Sequence, residues 1–515
     1  MQKEFKGLAK SIVIYGFGNV SIKLIGLILL PLYTNTSFLT SDEYGSMGLL
    51  DISAQILVAI FSLSLSSAYL RWYWDKAYSD ARKKIFYTCF ITLSVLAAFL
   101  AITGSISAKA VSRVLFEGDF PYAIAIMIVA TSLQPLIDFV LTQMRAESKA
   151  GFFISTNIAR LVISLLATIY LLKYQKHGLA GVYEAQLIGN IAFLLITSKY
   201  ILKNIEFSFS REILKDILKF SIPLAVASLS NVLLVVFDRY VLNFKSTRLD
   251  VALYTQGFKI ANTTKVFIVS SVQLALAPAV FKIMNRPDNK IIYSKIMTWF
   301  TIIVVYFSLF MSLFGLEITK VFTTDKIYFD SYKLIPLFSL GIIFGMLKDV
   351  SVTGLQITKQ TKIIGKVLIG VAVFNFVCNM MLVPLWGTYG AASSSFISQF
   401  IFFLIMFFAA QKEYKIPYRL DKVLLIIASG AVMFIAGNFF NPYSLGVRIA
   451  AKSAALLLFP VLLLLFRVID QSEIDIALSV INNIKRIFSQ SKKEEIDQSV
   501  SELSNVSSEE QNDKI

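Results

Sequence analysis

The chain has 515 residues, of which 56% are hydrophobic and only 16% charged, and its mean hydropathy is +0.69. Soluble domains carry about 25% charged residues, so this composition excludes a soluble globular fold and indicates a polytopic membrane protein. The formal net charge is +16, but nucleic-acid binding is not indicated, because basic loops between apolar segments explain part of the excess. The two cysteines lie in separate apolar segments and the one histidine in a polar loop. Neither a disulfide framework nor a histidine-built metal site is therefore expected.

Apolar runs long enough to cross a hydrocarbon core of about 30 Å recur along nearly the whole chain. They lack the alternation of barrel strands, so we interpret them as helices and predict an all-α fold. The first run follows a basic amino terminus without a small-residue cleavage site, which predicts a retained signal-anchor. The polar breaks predict about fourteen spans, numbered 1–14, near residues 11–33, 45–70, 86–107, 122–144, 151–172, 178–200, 220–242, 252–281, 296–318, 333–355, 364–384, 387–410, 422–440 and 446–468.

Lysine and arginine are unevenly distributed between the loops. The loops at 71–84, 199–219, 282–295 and 411–422 are basic, whereas those at 34–43 and 385–388 contain neither residue. Because basic loops stay on the cytoplasmic side, we predict that these basic loops and both termini are cytoplasmic. Residues 472–488 carry an apolar helical stripe beside basic residues, which predicts an amphipathic helix on the cytoplasmic membrane face. The polar residues after it are predicted to be disordered.

Weak internal matches indicate a repeat. The segment "GLAGVYEAQLIGNIAFLLI" (178–196) aligns without a gap with "GTYGAASSSFISQFIFFLI" (387–405), "DFVLTQ" (138–143) resembles "DVSVTG" (349–354), and Tyr44 corresponds to Tyr254. All three matches lie about 210 residues apart, so residues 1–210 and 211–410 are predicted to be parallel copies of a six-helix bundle. Spans 13 and 14 (411–470) and the cytoplasmic segment (471–515) lie outside the repeat. Two facing bundles indicate a central cavity that opens alternately to each side, as in a transporter.

Several charged residues lie within the spans. Lys23, Arg160 and Lys265 are near the middle of spans 1, 5 and 8, where a charge costs at least about 2.5–3.5 kcal/mol. We therefore predict that they line a watery cavity and form a site for an anion, the alternative being buried structural ion pairs. Lys259 lies one to two turns from Lys265, and acids are present as well, at Asp51, Asp138, Glu184, Asp238 and Asp349.

Some of these charges have an equally good structural interpretation. Lys259, Glu184, Asp238 and Arg239 lie within about two turns of a predicted span end, where snorkelling or an interfacial ion pair is expected as readily as function. Asp238 and Arg239 are adjacent, so they point to different faces and need separate partners. Lys348 and Asp349 are expected to pair with residues of other helices, and Lys23 is hypothesised to pair with Asp51 or Asp138.

Two segments resemble a known family. Residues 235–282, with Asp-Arg-Tyr at 238–240, Tyr254 and Ala-Pro at 277–278, resemble the helix 7–8 segment of the bacterial polysaccharide transporters. The opening "YGFGNVSIKLIGLILLPLYTNTSFLTSDEYGSMGLLD" resembles the start of the same family. The chain is thereby identified as a member of the multidrug/oligosaccharidyl-lipid/polysaccharide (MOP) exporter superfamily, with the peptidoglycan-precursor flippase and the MATE drug exporters. This resemblance implies a V-shaped pair of six-helix bundles.

The resemblance also implies a function. These proteins translocate a polyprenyl-diphosphate-linked oligosaccharide, such as an O-antigen, capsule or exopolysaccharide unit, across the bacterial cytoplasmic (inner) membrane. Basic side chains compensate a diphosphate, so the substrate-binding candidates are Lys23, Arg160, Lys259 and Lys265. Spans 13 and 14 are expected to line a groove for the lipid tail. Expected partners are the lipid-linked substrate, membrane lipids and the polymerase and chain-length machinery, with no nucleic acid.

The acids Asp51, Asp138, Asp238 and Glu184 are the candidates for coupling transport to H⁺ or Na⁺, and no other cofactor, bound metal or catalytic residue is expected. Two other function classes fit the sequence less well. A MATE-like cation-coupled drug exporter needs an acid-rich cavity for cationic substrates, whereas the mid-depth residues are mainly basic. A membrane glycosyltransferase or polymerase needs large loops bearing catalytic side chains, and the longest loop between spans has only about twenty residues. An enzyme is therefore not expected.

Overall fold

The computed structural model describes residues 27–270, 272–273, 280, 283–284, 286–358 and 360–468. In these ranges every regular element is helical, which confirms the predicted all-α class. The helices are α1 (Leu30–Tyr33), α2 (Ser41–Phe61), α3 (Leu65–Trp74), α4 (Arg82–Phe116), α5 (Pro121–Ser132), α6 (Gln134–Ala146), α7 (Ala150–Lys173), α8 (Gly178–Ile196), α9 (Ser198–Asn204), α10 (Arg211–Lys245), α11 (Arg248–Thr264), α12 (Asn289–Leu313), α13 (Gly315–Phe322), α14 (Ile335–Ser351), α15 (Thr353–Ile357), α16 (Thr361–Glu413), α17 (Leu420–Asn438) and α18 (Leu445–Leu465).

The chain forms two compact units that divide between Val423 and Leu424, inside α17. The described part of the second unit consists of the remainder of α17, the loop after it and α18. The first unit contains all the other helices, and with them every candidate site residue in the described ranges. Lys23 and the predicted amphipathic segment at 472–488 lie outside the described residues. We call residues 27–210 the first half and residues 211–410 the second half.

In the described ranges, 11 helical segments are long and apolar enough to cross a membrane. The difference from about fourteen predicted spans has three sources. Most of span 1 lies before residue 27, and part of span 8 lies in the undescribed residues between 271 and 285. Spans 11 and 12 are continuous in α16, which is 53 residues long.

The long helix α16 reverses its direction at Gly387. A straight helix of this length would extend about 80 Å, far more than a bilayer core of about 30 Å. Gly387 has φ 52° and ψ −126°, a left-handed conformation that glycine adopts at little cost. Across the bend, the Asn375 amide donates to Ser398 Oγ at 3.2 Å, and a Cβ added at Gly390 would lie 2.1 Å from the Leu382 carbonyl oxygen. The two arms are therefore antiparallel and correspond to spans 11 and 12.

The corresponding glycine of the first half also has a positive φ. Gly178, which aligns with Gly387 in the predicted repeat, has φ 53°, and it too opens the last long helix of its half. A second shared feature is the start of α2 and α11. Each begins with a capping box, formed by Thr40 and Glu43 in α2 and by Thr247 and Asp250 in α11, so each start satisfies its own free backbone donors. The division into two copies remains a prediction that these likenesses support.

The two halves are joined by polar contacts at the end of the helices where α2 and α11 begin, which is the predicted outer side. Arg248 of the second half pairs with Asp119 of the first at 2.8 Å and donates to the Phe116 carbonyl at 2.9 Å. Further polar contacts include Asn243 to the Leu115 carbonyl (2.9 Å), Tyr44 to Gln256 (2.6 Å), Ser53 with Tyr240 (2.7 Å), Thr324 to Thr34 (3.1 Å) and Thr36 to Asp325 (2.5 Å). We call this set of contacts the outer seam.

One contact of the outer seam depends on pH. Hydrogen bonds from the side chain and the backbone N–H of Thr36 to the Asp325 carboxylate lower the pKa of Asp325 below its usual value. A carboxylate with a lowered pKa stabilises the structure above its unfolded pKa, and the contribution is lost as the pH falls through the folded value. Acidification at the outer side therefore weakens this contact.

Two glycines of α2 let the helices approach closely within the outer seam. A Cβ at Gly45 would lie 2.1 Å from the Arg248 carbonyl oxygen, and one at Gly48 would lie 2.4 Å from Thr255 Oγ1. Both distances are far below van der Waals contact, and at Gly45 the neighbour is backbone. The seam therefore requires the absence of a side chain at these positions.

The substitution Gly45→Ala should favour an open seam. Overpacking of a close contact costs about 1–3 kcal/mol, which changes a ratio of two conformations about 5- to 150-fold. The measurement is the distance distribution between spin labels at Ser37 and Ile327, in a background with Cys89 and Cys378 replaced by alanine. Gly151→Ala is the control, since a Cβ there meets nothing within 4 Å. An unchanged distribution in Gly45→Ala would contradict the requirement for close approach.

Candidate functional site

Two adjoining cavities lie between helices of the first unit. Cavity A has a volume of about 540 Å³ and is lined mainly by the second half; cavity B has a volume of about 500 Å³ and is lined mainly by the first half. Gln55, Ser228 and Val232 line both cavities. Because they share these walls, cavities A and B adjoin at a boundary formed by α2 and α10.

Both cavities lie on the inner side of the outer seam. Along α2, the seam residues Tyr44 to Ser53 are followed by cavity residues up to Ser62. Along α10, which runs in the opposite direction, the cavity residues from Ser228 precede the seam residue Asn243. Along α11 the seam comes first again, and Lys265 of cavity A follows it. The seam therefore separates the cavities from the predicted outer side.

Lys265 lines cavity A and its side chain is exposed there. It opens a short π-helical segment, Lys265–Val269, a local irregularity that is common at functional sites. Lys348 lines the same cavity, and its ammonium group pairs with the neighbouring Asp349 and lies 4.9 Å from the centre of the Phe402 ring. We expected Lys348 and Asp349 to pair with residues of other helices, whereas the structure also pairs them with each other.

Lys259 forms an ion pair between the two halves. Its ammonium nitrogen lies 3.9 Å from Asp51 Oδ2, and the two side chains are 27% and 41% exposed. The same ammonium group lies 5.5 Å and 5.8 Å from the ring centres of Tyr44 and Tyr33, which adds cation–π attraction. Tyr183 donates to the other oxygen of Asp51 at 3.2 Å. A candidate substrate-binding residue and a candidate coupling residue are thus partners, and Asp51 also lines cavity B.

Arg160 is held within the first half by two side-chain oxygens. Its Nε donates to Asn190 Oδ1 at 3.0 Å and its NH2 group to Gln134 Oε1 at 2.6 Å. The amide nitrogen of Gln134 donates in turn to Asp138 at 2.8 Å. Gln134 lines cavity B, whereas Arg160 is not among the lining residues of cavity A or B. Arg160 and Asp138 therefore do not line cavity B themselves, but both are hydrogen-bonded to Gln134, which does.

Asp238 is buried and accepts hydrogen bonds from three uncharged donors. These are Tyr254 of α11, Asn379 on the first arm of α16 at 2.6 Å, and Ser395 on the second arm. Three elements of the second half therefore meet at one carboxyl group, and Asp238 and Ser395 also line cavity A. A buried carboxylate is costly unless it is well hydrogen-bonded, so the bonding pattern of this group is sensitive to its charge.

Arg239, next to Asp238, has different partners, as adjacency predicted. Its Nε donates to Thr255 at 3.2 Å, and its guanidinium lies 4.8 Å from the centre of the Phe258 ring. Glu184 lies apart from the other acids. It accepts from Tyr122 at 2.9 Å and contacts His177 Nδ1 at 2.7 Å, close to the start of α8, and it is not among the lining residues of cavities A and B.

The uncharged amides of the cavities are functional candidates that were not predicted from the sequence. Seven such side chains line them, drawn from α2, α6, α8, α10, α11 and both arms of α16: Gln55, Gln134, Gln186, Asn231, Asn262, Asn375 and Gln399. Each lies inside an otherwise apolar span, where an amide is costly unless it finds a partner or water. That cost is the signal in the sequence that could have identified them.

Comparisons with known proteins identify the fold. Over 88% of its length the chain resembles the solved structure of the lipid II flippase MurJ in an inward closed conformation, covering 99% of that chain with 15% identity and a TM-score of 0.73. A multidrug resistance MATE family transporter of the MOP superfamily in an inward-facing conformation matches 79% of this chain and 99% of its own, with 16% identity and a TM-score of 0.64. The protein therefore has the fold of the MOP transporters.

Sequence comparison gives the family. The family model described as "Polysaccharide biosynthesis protein" matches residues 8–284, more than half of the chain. The chain belongs to this family, in agreement with the resemblance seen in the sequence. A membrane protein of Methanocaldococcus jannaschii, named "Uncharacterized membrane protein MJ1068", is 20% identical over 344 residues, which are 63% of this chain and 67% of the relative.

The hydrogen bonds of Arg160 predict that Arg160→Met is destabilising. The substitution leaves the oxygens of Gln134 and Asn190 without their charged donor, and a hydrogen bond to a charged group contributes about 1.5–3 kcal/mol. The free energy of unfolding in a denaturing detergent should fall by about this amount. Arg113→Met, at an exposed position of α4, is the control. Equal stability of the two variants, with transport lost only in Arg160→Met, would contradict a scaffold role and make Arg160 a substrate ligand.

Proposed function

We propose that the protein is a flippase that carries a polyprenyl-diphosphate-linked oligosaccharide across a bacterial cytoplasmic membrane by alternating access. The observation that carries this proposal is an exposed lysine, Lys265, in a polar cavity that the outer seam separates from the predicted outer side. A diphosphate head group cannot cross hydrocarbon without compensation of its charge. The membership of the polysaccharide biosynthesis family supports a glycan-bearing substrate.

The basic residues have separate tasks in this proposal. Lys265 binds the diphosphate directly in cavity A, and Lys23 is expected to contribute from span 1. Lys259 becomes available only when it leaves Asp51, so anion binding competes with an ion pair that joins the two halves. Arg160 acts through Gln134, whose orientation it fixes. Binding of the substrate therefore weakens a contact that must separate for the outer side to open.

We propose that ion coupling centres on Asp238. Protonation or the binding of Na⁺ would change which of Tyr254, Asn379 and Ser395 can donate to the carboxyl group, and so alter how α10, α11 and both arms of α16 are held together. Asp51 takes part in ion coupling through its ion pair with Lys259. Asp138 takes part through its hydrogen bond with Gln134. Glu184 has the least support, because its partners lie away from cavities A and B.

The wider setting follows from the same proposal. Both termini and the basic loops face the cytoplasm, the protein performs translocation without catalysis, and the polysaccharide polymerase and chain-length machinery act on what it delivers. Spans 13 and 14 guide the lipid tail.

A cation-coupled drug exporter is the second candidate. It is favoured by one observation: Asp51, Asp238 and Asp349 all line cavity A or cavity B, as a site for cationic compounds requires. It is disfavoured because each of these acids already has partners: Asp51 has Lys259 and Tyr183, Asp349 has Lys348 and Gln273, and Asp238 has three hydrogen-bond donors.

The variants Lys265→Ala and Lys23→Ala should each reduce surface glycan at least about tenfold, since a charge-assisted hydrogen bond contributes about 1.5–3 kcal/mol. The measurement is immunoblotting of surface glycan in cells that depend on the variant, with the amount of inserted protein determined in parallel. Lys203→Ala, at an exposed position at the end of α9, is the control. Normal glycan in both cavity variants would contradict the proposal. Export of cationic dyes that survives in Lys265→Ala would favour the drug exporter.

The variant Asp238→Asn should abolish the ion dependence of transport. Asparagine keeps the size of the side chain but can neither ionise nor bind a cation through a charged oxygen. Transport of the lipid-linked oligosaccharide fraction into vesicles is measured with a pH gradient, with a Na⁺ gradient and with neither. We expect the response to one gradient to disappear while Glu184→Gln keeps it. An unchanged response in Asp238→Asn would show that coupling lies elsewhere.

A further inference from the structure

Cavities A and B differ in the chemistry of their walls. Two lysines and two acids line cavity A, namely Lys265, Lys348, Asp238 and Asp349, whereas the only ionisable side chain among the lining residues of cavity B is Asp51. Asp51 is engaged by Lys259 and Tyr183. The remaining polar residues of cavity B are amides and hydroxyls: Gln55, Ser62, Thr131, Gln134, Gln186 and Ser228. Cavity B is therefore a mainly uncharged, hydrogen-bonding chamber beside a cavity that carries four ionisable side chains.

Two of the three amides of cavity B have free hydrogen-bonding capacity. Gln186 is half-buried, and the structure shows no hydrogen-bond partner for its amide among the described residues. Gln55 is exposed, and its amide makes only a long contact, 3.4 Å, with the backbone of Asp51. By contrast, Gln134 is engaged on both sides by Arg160 and Asp138. Gln186 and Gln55 are thus the amides available to a ligand.

We propose that cavity B is the subsite for the sugars of the substrate and that Gln186 and Gln55 select a neutral, hydroxyl-rich glycan. This inference rests on the proposed function, because it divides one substrate between two cavities: the diphosphate in A and the first sugars in B. A primary amide presents two donors and an acceptor in one plane, which matches sugar hydroxyls, since each hydroxyl both donates and accepts. The shared wall at Gln55 and Ser228 lets one molecule extend from one cavity into the other.

The selectivity has a physical cause. When water fills cavity B, it satisfies the amides, but a ligand that displaces the water must replace those hydrogen bonds. A site built to bind hydroxyl groups discriminates strongly against a ligand without them, because its own polar groups are left unpaired. A bare polyprenyl diphosphate therefore gains nothing from cavity B, whereas the glycosylated lipid does. An acidic sugar would meet the Asp51 carboxylate rather than a cation.

The test compares two ligands on the purified full-length protein in nanodiscs. One is the lipid-linked oligosaccharide fraction extracted from the source cells, and the other is undecaprenyl diphosphate without sugar. For Gln186→Leu, and separately for Gln55→Leu, the Kd of the glycosylated lipid should rise at least about fivefold, in line with the loss of about 1 kcal/mol per hydrogen bond. The Kd of the bare lipid should stay unchanged.

Controls separate a subsite from a general defect. Gln175→Leu makes the same chemical change at an exposed loop position, where the amide contacts Tyr170, and should affect neither ligand. Lys265→Ala should weaken both ligands, and thermal melting verifies that each variant is folded. Equal weakening of both ligands in the two glutamine variants, or no weakening of either, would overturn the sugar subsite. A wild-type protein that binds neither ligand would overturn the proposed function itself.

Discussion

The cost of a charged or polar group in hydrocarbon governs the arrangement of this protein. Every ionisable residue within a span must be paired, hydrogen-bonded or in contact with water. The described residues use all three solutions: Lys259 pairs with Asp51, Asp238 is hydrogen-bonded by neutral donors, and Lys265 is exposed in cavity A. The candidate site contains all three kinds of arrangement, in and beside cavities A and B.

The same constraint links the outer seam to the cavities. The seam is made of close helix contacts at Gly45 and Gly48 and of polar pairs such as Arg248 with Asp119. The ion pair of Lys259 with Asp51 lies between this seam and the cavity walls, so it belongs to both. Any ligand that competes for Lys259 changes the balance between a closed and an open seam. Binding and gating are in this way coupled through a single pair of side chains.

Much of the fold follows from the sequence because apolar runs and polar breaks are local signals. The reversal at Gly387 was anticipated by the break between spans 11 and 12, although the helix is continuous on both sides of the glycine. The capping boxes at Thr40 and Thr247 are also readable, since their partners are three residues away. Local chemistry of this kind needs no knowledge of the tertiary structure.

The pairing of side chains between helices was less predictable. The partners Asp51 and Lys259 lie far apart in sequence, in different halves, and their contact depends on how α2 and α11 are rotated against each other. Lys348 was expected to reach another helix, but it pairs with its neighbour Asp349 as well. The cavity amides at Gln186 and Asn262 were not predicted, because an uncharged amide within a span is a weaker signal of function than a charged side chain. An uncharged polar group within a span also indicates a functional site, although its burial costs less free energy than that of a charge.

The central claim is that the outer seam closes cavities A and B from one side of the membrane. It is tested most directly by a single cysteine at Ser228, which lines both cavities, in a background with Cys89 and Cys378 replaced by alanine. A membrane-impermeant maleimide is applied to each side of oriented vesicles. The account predicts rapid labelling only from the side that bears the basic loop at 71–84. Equal labelling from the opposite side, or none from either, would contradict it.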